Sequence, residues 1–437
     1  MEERLTRTLD WLYSLEARGE IYKLERMDAA LALIGNPHRK LRAIHIAGTK
    51  GKGSVAAMLD SVLRAAGMRV GLYTKPHLVN LSERTRIDGA EMPARRMLDY
   101  IDRLRAIYDR AGLALTFFEF TVAMMFLYFA EEHVDIAVVE TGLGGRLDST
   151  NVVTPILSVI TPIGFDHMEY LGYTIPAIAA EKGGIIKAEV PVVIGARDHE
   201  ARATLSSIAA QRRSATRLVD RDYTFRSHSP EHRIDYQGLA LSLDNVELGL
   251  AGPFQHENAA IALAVVEELR AQGHAISEEA IRRGLREVYW PGRFDIVSRN
   301  PTVILDCAHN ELSVSALLET ISVELDPHLR PHLVFGCLAS KQWERMATML
   351  APRVSDVTLT RARPKNPLDP EQLLPIFSAH VPARVERDPM LAIERTVKES
   401  AASEVVLVTG SVYLIGEIYP YFLARTGRRG LFPEAPG

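Results

Sequence analysis

Residues 42–54 read RAIHIAGTKGKGS, and the organisation of the whole chain can be built outward from them. The apolar run Ala43–Ala47 predicts a buried strand. A cluster of glycines follows, and residues 55–66 then continue as a helical pattern without Gly or Pro. A glycine loop between a strand and a helix lets backbone N–H groups approach an anion, and the helix dipole favours negative charge there. The stretch therefore predicts a phosphate-binding loop, with a plain glycine-rich turn before a helix as the alternative.

Two polar side chains at the end of this loop indicate its chemistry. Lys52 is expected to reach the outer phosphates of a nucleotide, and the Ser54 hydroxyl is expected to bind Mg²⁺. In the common phosphate loop the two residue types are adjacent, whereas here Gly53 separates them. The loop thus predicts a nucleoside triphosphate site with a small departure from the usual spacing.

Bulk composition limits the class of protein. A chain of 437 residues with 47% hydrophobic and 24% charged residues predicts a globular protein of two domains. The net charge of −4 predicts no nucleic-acid partner, and the longest apolar run, residues 122–130, is too short to span a membrane. Two cysteines, Cys307 and Cys337, form no disulfide or zinc pattern. We therefore expect a cytoplasmic location and, in the absence of any signal for assembly, a monomer.

Three further residues of the first half are candidate metal ligands. Glu140 ends a predicted strand at residues 135–140, which is how a second Mg²⁺ contact often arrives in phosphate-loop proteins. His167 lies a few residues beyond the predicted strand 156–160, and Lys182 lies on a predicted helix over residues 175–186. The alternatives are a loop charge or helix cap for Glu140, a hydrogen-bonded structural histidine for His167, and a surface ion pair for Lys182.

The rest of the first half gives a coarse outline. Residues 1–41 read as helical, and residues 74–89 as a long polar connection that carries ligand contacts. Residues 215–249 alternate like an antiparallel flap. A helix pattern then carries Asn258 in its first turns, where the amide could meet a nucleotide base or simply cap the helix. The Pro-Gly break at residues 290–294 is the predicted domain boundary.

Beyond that break, the alternation of strands and helices restarts. The predicted first strand, Thr302–Leu305, leads into Asp306, His309 and Asn310, at the edge of the sheet where ligands usually bind. We expect the functional edges of the two sheets to face one another across a cleft, and residues 428–437 to be frayed. The fold class is α/β: a phosphate-loop domain with a parallel-rich sheet over residues 1–295, and a smaller Rossmann-like domain over residues 296–437. These residues alone indicate an ATP-dependent enzyme with a two-domain cleft.

Several long motifs in order resemble the folylpolyglutamate synthase and dihydrofolate synthase family of the Mur ligase superfamily. IHIAGTKGKGS is similar to the family's HVAGTNGKGS, and KPHLVNLSERTRIDG to its SPHL…ERI…G segment. The matching segments that follow are FFEFTVAMMFLYFA, VVETGLGGRLDSTNVV, GFDHMEYLG, IAAEKGGIIK, FQHENAAIAL, WPGRFD and LDCAHN.

The resemblance implies an activity and a set of site residues. The implied reaction adds L-glutamate to dihydropteroate, to (poly)glutamylated reduced folates, or to both, through an acyl phosphate made from ATP. Two Mg²⁺ sites are implied, and K⁺ or another monovalent cation is allowed.

The implied nucleotide contacts are Gly48, Thr49, Lys50, Gly51, Lys52, Gly53, Ser54, Asn258, Arg293 and Asp306. The implied metal ligands are Ser54, Glu140, His167 and, if it is carbamylated, Lys182. The implied substrate contacts are Pro76, His77, Glu83, Arg84 and His309. The implied catalytic residues are Lys52, Lys182, His309 and Asp306.

The chain departs from the family pattern at four positions. Lys50 replaces Asn and Lys75 replaces Ser, whereas Cys307 stands where Gly is common and Asp295 where Glu is common. We interpret these departures as changes of substrate preference. The alternatives are a Mur-type ligase for a different carboxylate, a nucleotide-binding paralogue without activity, and a simple kinase, which would not need the second α/β domain.

Overall fold

A computed structural model describes residues 2–19, 23–228, 231–362, 366–425 and 430–432 of the chain. In these residues no helix combines the length and the apolar character needed to cross a bilayer.

The larger sheet has eight strands in the order β4-β3-β2-β5-β1-β6-β7-β8. The strands are β1 Ala43–Ala47, β2 Val70–Tyr73, β3 Thr85–Ile87, β4 Ala90–Glu91, β5 Ile136–Glu140, β6 Leu157–Ile160, β7 Val192–Ile194 and β8 Thr216–Leu218. The six strands from β2 to β8 in this order are parallel, and β3 and β4 form an antiparallel edge. Because their C-terminal ends share one edge, the loops that follow β1, β2, β5 and β6 meet there.

Helices cover both faces of this sheet. They are α1 Glu2–Ser14, α2 Leu24–Leu33, α3 Lys52–Ala65, α4 Ala94–Arg110, α5 Phe117–Glu131, α6 Met168–Leu171, α7 Ile175–Gly183, α8 His199–Gln211, α9 Pro253–Ala271 and α10 Glu278–Glu287. Alternate residues of one strand enter different cores: Ile44 and Ile46 pack in the core that holds α3, α9 and α10, whereas Ala43 packs with α4 and α5. A strand buried on both faces reads as a continuous apolar run, which explains why β1 was predictable.

A separate antiparallel sheet consists of β9 Thr224–His228, β10 Arg233–Gln237 and β11 Ser242–Glu247. Ile234 and Tyr236 of its middle strand are buried in the same core as α9 and α10. The predicted antiparallel structure is confirmed for β9 to β11. The prediction of a flap over residues 215–249 is wrong in two respects: β8 belongs to the parallel sheet, and the other three strands pack against helices through their apolar face.

The second sheet has six strands in the order β12-β13-β17-β14-β15-β16. The strands are β12 Asp295–Arg299, β13 Thr302–Leu305, β14 His332–Phe335, β15 Asp356–Leu359, β16 Ala383–Val385 and β17 Val405–Thr409. The helices around them are α11 Glu311–Glu324, α12 Trp343–Leu350, α13 Leu374–Ser378, α14 Pro389–Glu399 and α15 Val412–Arg425. All strands are parallel except β12, which pairs antiparallel with β13. The predicted α/β class with two sheets is confirmed.

Two predictions about local structure are corrected. Residues 74–89 are not only a connection, because they contain a short 3₁₀ helix, Leu81–Arg84, and strand β3. Thr302–Leu305 is not the first strand of the second sheet, because β12 precedes it. Short strands that contain charged residues carry little apolar signal, which is why β3 and β12 were missed.

The predicted frayed tail is wrong for residues 430–432. Leu431 is 1% exposed, and the Phe432 ring lies 3.7 Å from the Arg86 guanidinium carbon. The remainder of that prediction, residues 428–429 and 433–437, lies outside the described residues. Since the strands change sheet at β12, we propose the domain boundary at residues 295/296, one residue into that strand.

Candidate active site

The loop after β1 is built around glycines that no other residue could replace without a clash. Gly48 has φ +150°, and a Cβ there would lie 1.8 Å from the Thr161 Oγ1 atom. Gly51, the N-cap of α3, has φ +81°, and its Cβ would lie 2.2 Å from the Asn258 Oδ1 atom. Both positions therefore combine a left-handed backbone with close packing, so that the loop wraps tightly over the N-terminus of α3.

Hydrogen bonds fasten this loop to the segment after β6. The Pro162 carbonyl accepts the Thr49 N–H at 3.0 Å, and the Thr161 hydroxyl donates to the Lys50 carbonyl at 2.5 Å. The Thr49 hydroxyl donates to the Gly164 carbonyl at 3.0 Å and accepts the Gly164 N–H at 3.1 Å. The phosphate loop and the segment that leads to His167 are thus held as one unit.

Two lysines converge on the same carbonyl oxygen. The Nζ atom of Lys52 lies 3.1 Å from the Gly48 carbonyl oxygen, and that of Lys182 lies 2.9 Å from it. Lys182 is 4% exposed, and burial together with the nearby Lys52 charge lowers its pKa to about 7. An uncharged amine is the form that reacts with CO₂, so this lysine is suited to carbamylation, which would also convert the repulsion between two cations into attraction.

Glu140 lies at the end of β5, where its backbone pairs with Ile46 of β1. It is 4% exposed; its Oε1 atom is 4.0 Å from the Lys52 Nζ atom, and its Oε2 atom accepts the Lys75 N–H at 3.3 Å. Burial raises the pKa of Glu140, and the Lys52 charge opposes that rise. A buried carboxylate beside a phosphate loop is a suitable oxygen ligand for Mg²⁺.

The other two predicted metal ligands, Ser54 and His167, lie on different elements of the fold. Ser54, in the first turn of α3, is 4% exposed. His167 has φ +49°, its Nε2 atom lies 3.8 Å from an Asp166 carboxylate oxygen, and partial burial lowers its pKa, which favours the neutral imidazole that binds metals. Within the described ranges, no three His, Cys, Asp or Glu side chains form a metal-binding group. Since Ser54 and Lys182 are not among these four residue types, this finding is compatible with the predicted set of ligands, which stays a prediction.

A cavity of about 470 Å³ lies between the two sheets. Residues from the first domain that line it include Lys75, Pro76 and Arg84, and residues from the second include His309 and Tyr413. His167 also lines it. The expected cleft between the two functional edges is therefore present.

A smaller cavity of about 60 Å³ lies on the phosphate side of this cleft. It is lined by Gly53, Glu140, Trp290 and Arg293, and Lys75 borders it as well as the large cavity. The Arg293 charge acts on both Glu140 and Asp306, lowering the pKa of each against the effect of burial. This guanidinium is thus placed to meet anionic oxygens between the two domains.

The predicted substrate contacts in the loop after β2 differ in what their side chains do. The Glu83 carboxylate accepts backbone N–H groups of Leu78, Val79 and Asn80 at 2.6–2.8 Å, so it shapes the loop. Arg84 donates to His77 at 2.9 Å and lies over the Phe117 ring. Pro76 and Arg84 of this loop line the large cavity, as does the predicted contact His309 from the second domain, whereas Glu83 lines the small cavity.

The second domain contributes Asp306 and His309 from the loop after β13. The Asp306 carboxylate accepts the backbone N–H groups of Phe294 at 2.9 Å and Ala308 at 2.8 Å, and burial raises its pKa. The His309 Nδ1 atom is 2.8 Å from the Cys307 carbonyl oxygen, and burial lowers the pKa of its imidazole. A neutral ring that donates from Nδ1 leaves Nε2 as an acceptor.

Asn258 and Asn310 have local partners. The Asn258 amide is 3% exposed, touches the phosphate loop at Gly51, and donates to the Gln255 side chain at 2.8 Å. Asn310 caps α11, since its side chain accepts the Ser313 N–H at 2.8 Å. Base recognition by Asn258 stays a prediction.

Sequence reasoning missed much of the cavity wall. The unassigned residues include Phe117 and Phe118 at the start of α5, Leu143 and Leu147 after β5, and Ser411 and Tyr413 at the start of α15. A signal was available for Ser411, because it follows a parallel strand at the edge where ligands bind. The sequence did not mark Phe117 and Phe118 as cavity residues, because an apolar helix start has the same pattern when it packs in a core.

Comparisons with known proteins show the family of the chain. The Mur ligase middle domain model matches residues 46–266, and the Mur ligase glutamate ligase domain model matches residues 292–412. The chain is 35% identical over 421 residues to the dihydrofolate synthase/folylpolyglutamate synthase of Bacillus subtilis (strain 168), covering 93% of this chain and 96% of that protein.

Solved structures resemble the whole chain. Folylpolyglutamate synthase from Thermotoga maritima superposes with a TM-score of 0.86 at 35% identity, covering 98% of each chain. Escherichia coli FolC in complex with DHPP and ADP gives a TM-score of 0.86 at 30% identity, covering 96% of this chain and 98% of that one. The chain therefore belongs to the dihydrofolate synthase/folylpolyglutamate synthase family of ATP-dependent Mur ligases.

Proposed function

We propose that the protein ligates L-glutamate to dihydropteroate, to (poly)glutamylated reduced folates, or to both, and releases ADP and phosphate. The observation that carries the proposal is the junction of the two cavities. Lys75 and Pro76 border both the small cavity beside Gly53 and Glu140 and the large cavity that reaches His309. A γ-phosphate on the loop and an acceptor in the large cavity would therefore meet at one point.

The first chemical step joins two anions. An oxygen of the acceptor carboxylate attacks the γ-phosphorus, the bond to ADP breaks, and an acyl phosphate results. Lys52, held at the Gly48 carbonyl and 4.0 Å from Glu140, offsets the growing charge on the phosphate oxygens. Mg²⁺, when bound by Glu140 and Ser54, would supply further charge neutralisation at these oxygens.

The second step forms the amide. The α-amine of glutamate attacks the acyl carbon, inorganic phosphate leaves with the electron pair of the C–O bond, and the proton lost by the amine nitrogen ends on the departing phosphate. His309 lines the cavity with its Nε2 lone pair available, so it can accept a hydrogen bond from the amine and orient it. Arg293 is placed to bind a carboxylate or phosphate oxygen nearby.

Phosphate release from MgATP tests this proposal. The assay is run with L-glutamate and either dihydropteroate or tetrahydrofolate, with mass analysis of products and with Glu140→Gln as the background control. Release that requires an acceptor, together with a product heavier by one glutamyl unit, is expected. No product with either acceptor despite ATP binding would contradict the proposal and favour a different carboxylate or a non-catalytic paralogue. The monomeric state, the cytoplasmic location and a monovalent cation stay predictions.

A further inference from the structure

Lys75 occupies the junction of the two cavities, at a position where the family pattern has serine. It follows β2 and Thr74, and its backbone N–H donates to the Glu140 Oε2 atom at 3.3 Å. Its ammonium lies 5.6 Å from the centre of the Phe118 ring, on the wall of the large cavity. The backbone thus faces the Glu140 carboxylate, while the side chain lies on the wall of the large cavity.

The other charged groups of the large cavity are differently placed. Its remaining lysine and arginine are Lys341, which does not border the small cavity, and Arg84, which donates to His77. Its acids are Glu16 and Asp148, and the Asp148 carboxylate accepts the N–H groups of Leu143 and Thr150. Among the described lining residues, Lys75 is therefore the one lysine or arginine of the large cavity that also reaches the phosphate side.

We propose that Lys75 is a specificity-determining residue that binds the carboxylate of the acceptor at the point where it meets the γ-phosphate. This inference rests on the proposed ligase function and adds a named recognition group to it. A serine at this position offers a neutral hydroxyl, whereas the ammonium offers a full charge to the attacking anion. We therefore expect the chain to prefer an ionised acceptor over a neutral analogue, and to do so more strongly than a variant with serine at this position.

The charge of Lys75 also acts on neighbouring groups in both cavities. It lowers the pKa of Glu140 and of Asp148 against the effect of burial, and it adds to the cationic surroundings of Lys182 and His167. A purely local role beside Glu140 would alter the Mg²⁺ requirement and leave acceptor selection unchanged. The two roles are therefore separable by measurement.

The experiment compares Lys75→Ser with Lys75→Arg, and uses Lys398→Ser on exposed helix α14 as the matched control for loss of one positive charge. Binding of the acceptor and of its neutral carboxamide analogue is measured by calorimetry in the presence of MgADP, which needs no turnover. Initial rates give KM and kcat for acceptor, ATP and glutamate, and the Mg²⁺ half-saturation. Thermal melting confirms that each variant is folded.

Lys75→Ser is expected to raise the acceptor KM about 10- to 100-fold, as for a lost charge-assisted hydrogen bond, and to remove the preference for carboxylate over carboxamide. Lys75→Arg should retain that preference, and Lys398→Ser should match the wild type. An unchanged carboxylate preference in folded Lys75→Ser, or an effect confined to Mg²⁺ half-saturation, would overturn the inference while leaving the ligase proposal intact. Failure of the wild type to bind or ligate either acceptor would overturn both.

Discussion

The two ends of the cleft are built in opposite ways. The phosphate end is the predicted phosphate-binding loop after β1, a run of consecutive residues in which Gly48 and Gly51 leave no room for a side chain. At the acceptor end, a cavity of about 470 Å³ is assembled from segments as distant as Arg84, Phe118 and Tyr413. The first end depends on close packing, and the second depends on how two domains are placed.

Because of this difference, we expect the two ends of the cleft to tolerate different substitutions. The phosphate end must present the same charges to every nucleotide, so that a rigid loop with buried partners suits it. The acceptor end can change selectivity by single substitutions on its wall, of which Lys75 is an example. We therefore expect substitutions at the two ends to affect different kinetic parameters.

The largest expected effect follows from Glu140→Gln. Removing the buried carboxylate should lower kcat by about 10³-fold or more, because several kcal/mol of charge stabilisation at the phosphates is lost. Acceptor binding should stay within about twofold of wild type, since this is a phosphate-end change. Steady-state kinetics and calorimetry check both parts, and ligase activity near the wild-type value in the folded variant would remove the metal assignment.

Gly51→Ala should damage the same end through packing. Its Cβ would lie 2.2 Å from the Asn258 Oδ1 atom at a residue with φ +81°. The matched control is Gly112→Ala, with φ +64° and no atom within 4 Å of the added carbon. Left-handed strain alone costs about 1–2 kcal/mol of unfolding free energy in each, and Gly51→Ala should lose more and also lose ATP affinity. Urea denaturation and nucleotide binding measure this, and equal losses in both variants would show that packing adds nothing.

Lys182 makes the phosphate end sensitive to pH. Its pKa is about 7 in the folded chain against an ordinary 10.5, so between these values the unfolded chain binds a proton that the folded chain does not. The free energy of unfolding should therefore rise with pH in this window, by up to about 1.4 kcal/mol per pH unit from this residue.

The measurement is the difference in unfolding free energy between wild type and Lys182→Met, in CO₂-depleted buffer from pH 7 to 10. Identical slopes of unfolding free energy against pH for the two proteins would mean that the lysine is charged in the folded chain. Added bicarbonate should stabilise the wild type and leave the methionine variant unchanged, and intact mass reports the carbamate directly.

The smallest effect is expected from Glu83→Gln, in the loop after β2 that also carries Pro76 and Arg84 of the large cavity. An amide cannot satisfy three backbone N–H groups as a carboxylate does, so we expect a loss of about 1 kcal/mol in unfolding free energy. The acceptor KM should rise a few-fold, with the ATP KM unchanged. Glu25→Gln at an exposed position of α2 is the control for loss of one negative charge. An unfolding free energy of Glu83→Gln equal to that of the wild type would contradict the role of this carboxylate in shaping the loop.

The phosphate end was largely predictable from sequence, whereas the acceptor end was not. Strand β1, the loop and Glu140 follow from apolar runs, glycines and a terminal acid that lie close together in the chain. Phe118 and Tyr413 could not be paired from sequence, because their proximity depends on the packing of two domains. Glu83 was expected to contact substrate, but nothing in its spacing revealed three backbone partners.

The two-way hydrogen bonding between Thr49 and Gly164 has a thermodynamic consequence. A loop that moves to admit a nucleotide must carry along the segment that ends at His167, since the Pro162 carbonyl and the Thr161 hydroxyl hold both together. Occupancy at one place then biases occupancy at the other, and linkage makes the bias reciprocal. If a cation binds at His167, whatever factor it adds to nucleotide affinity the nucleotide returns to the cation, and the link between the two places consists of five backbone atoms and two hydroxyl groups.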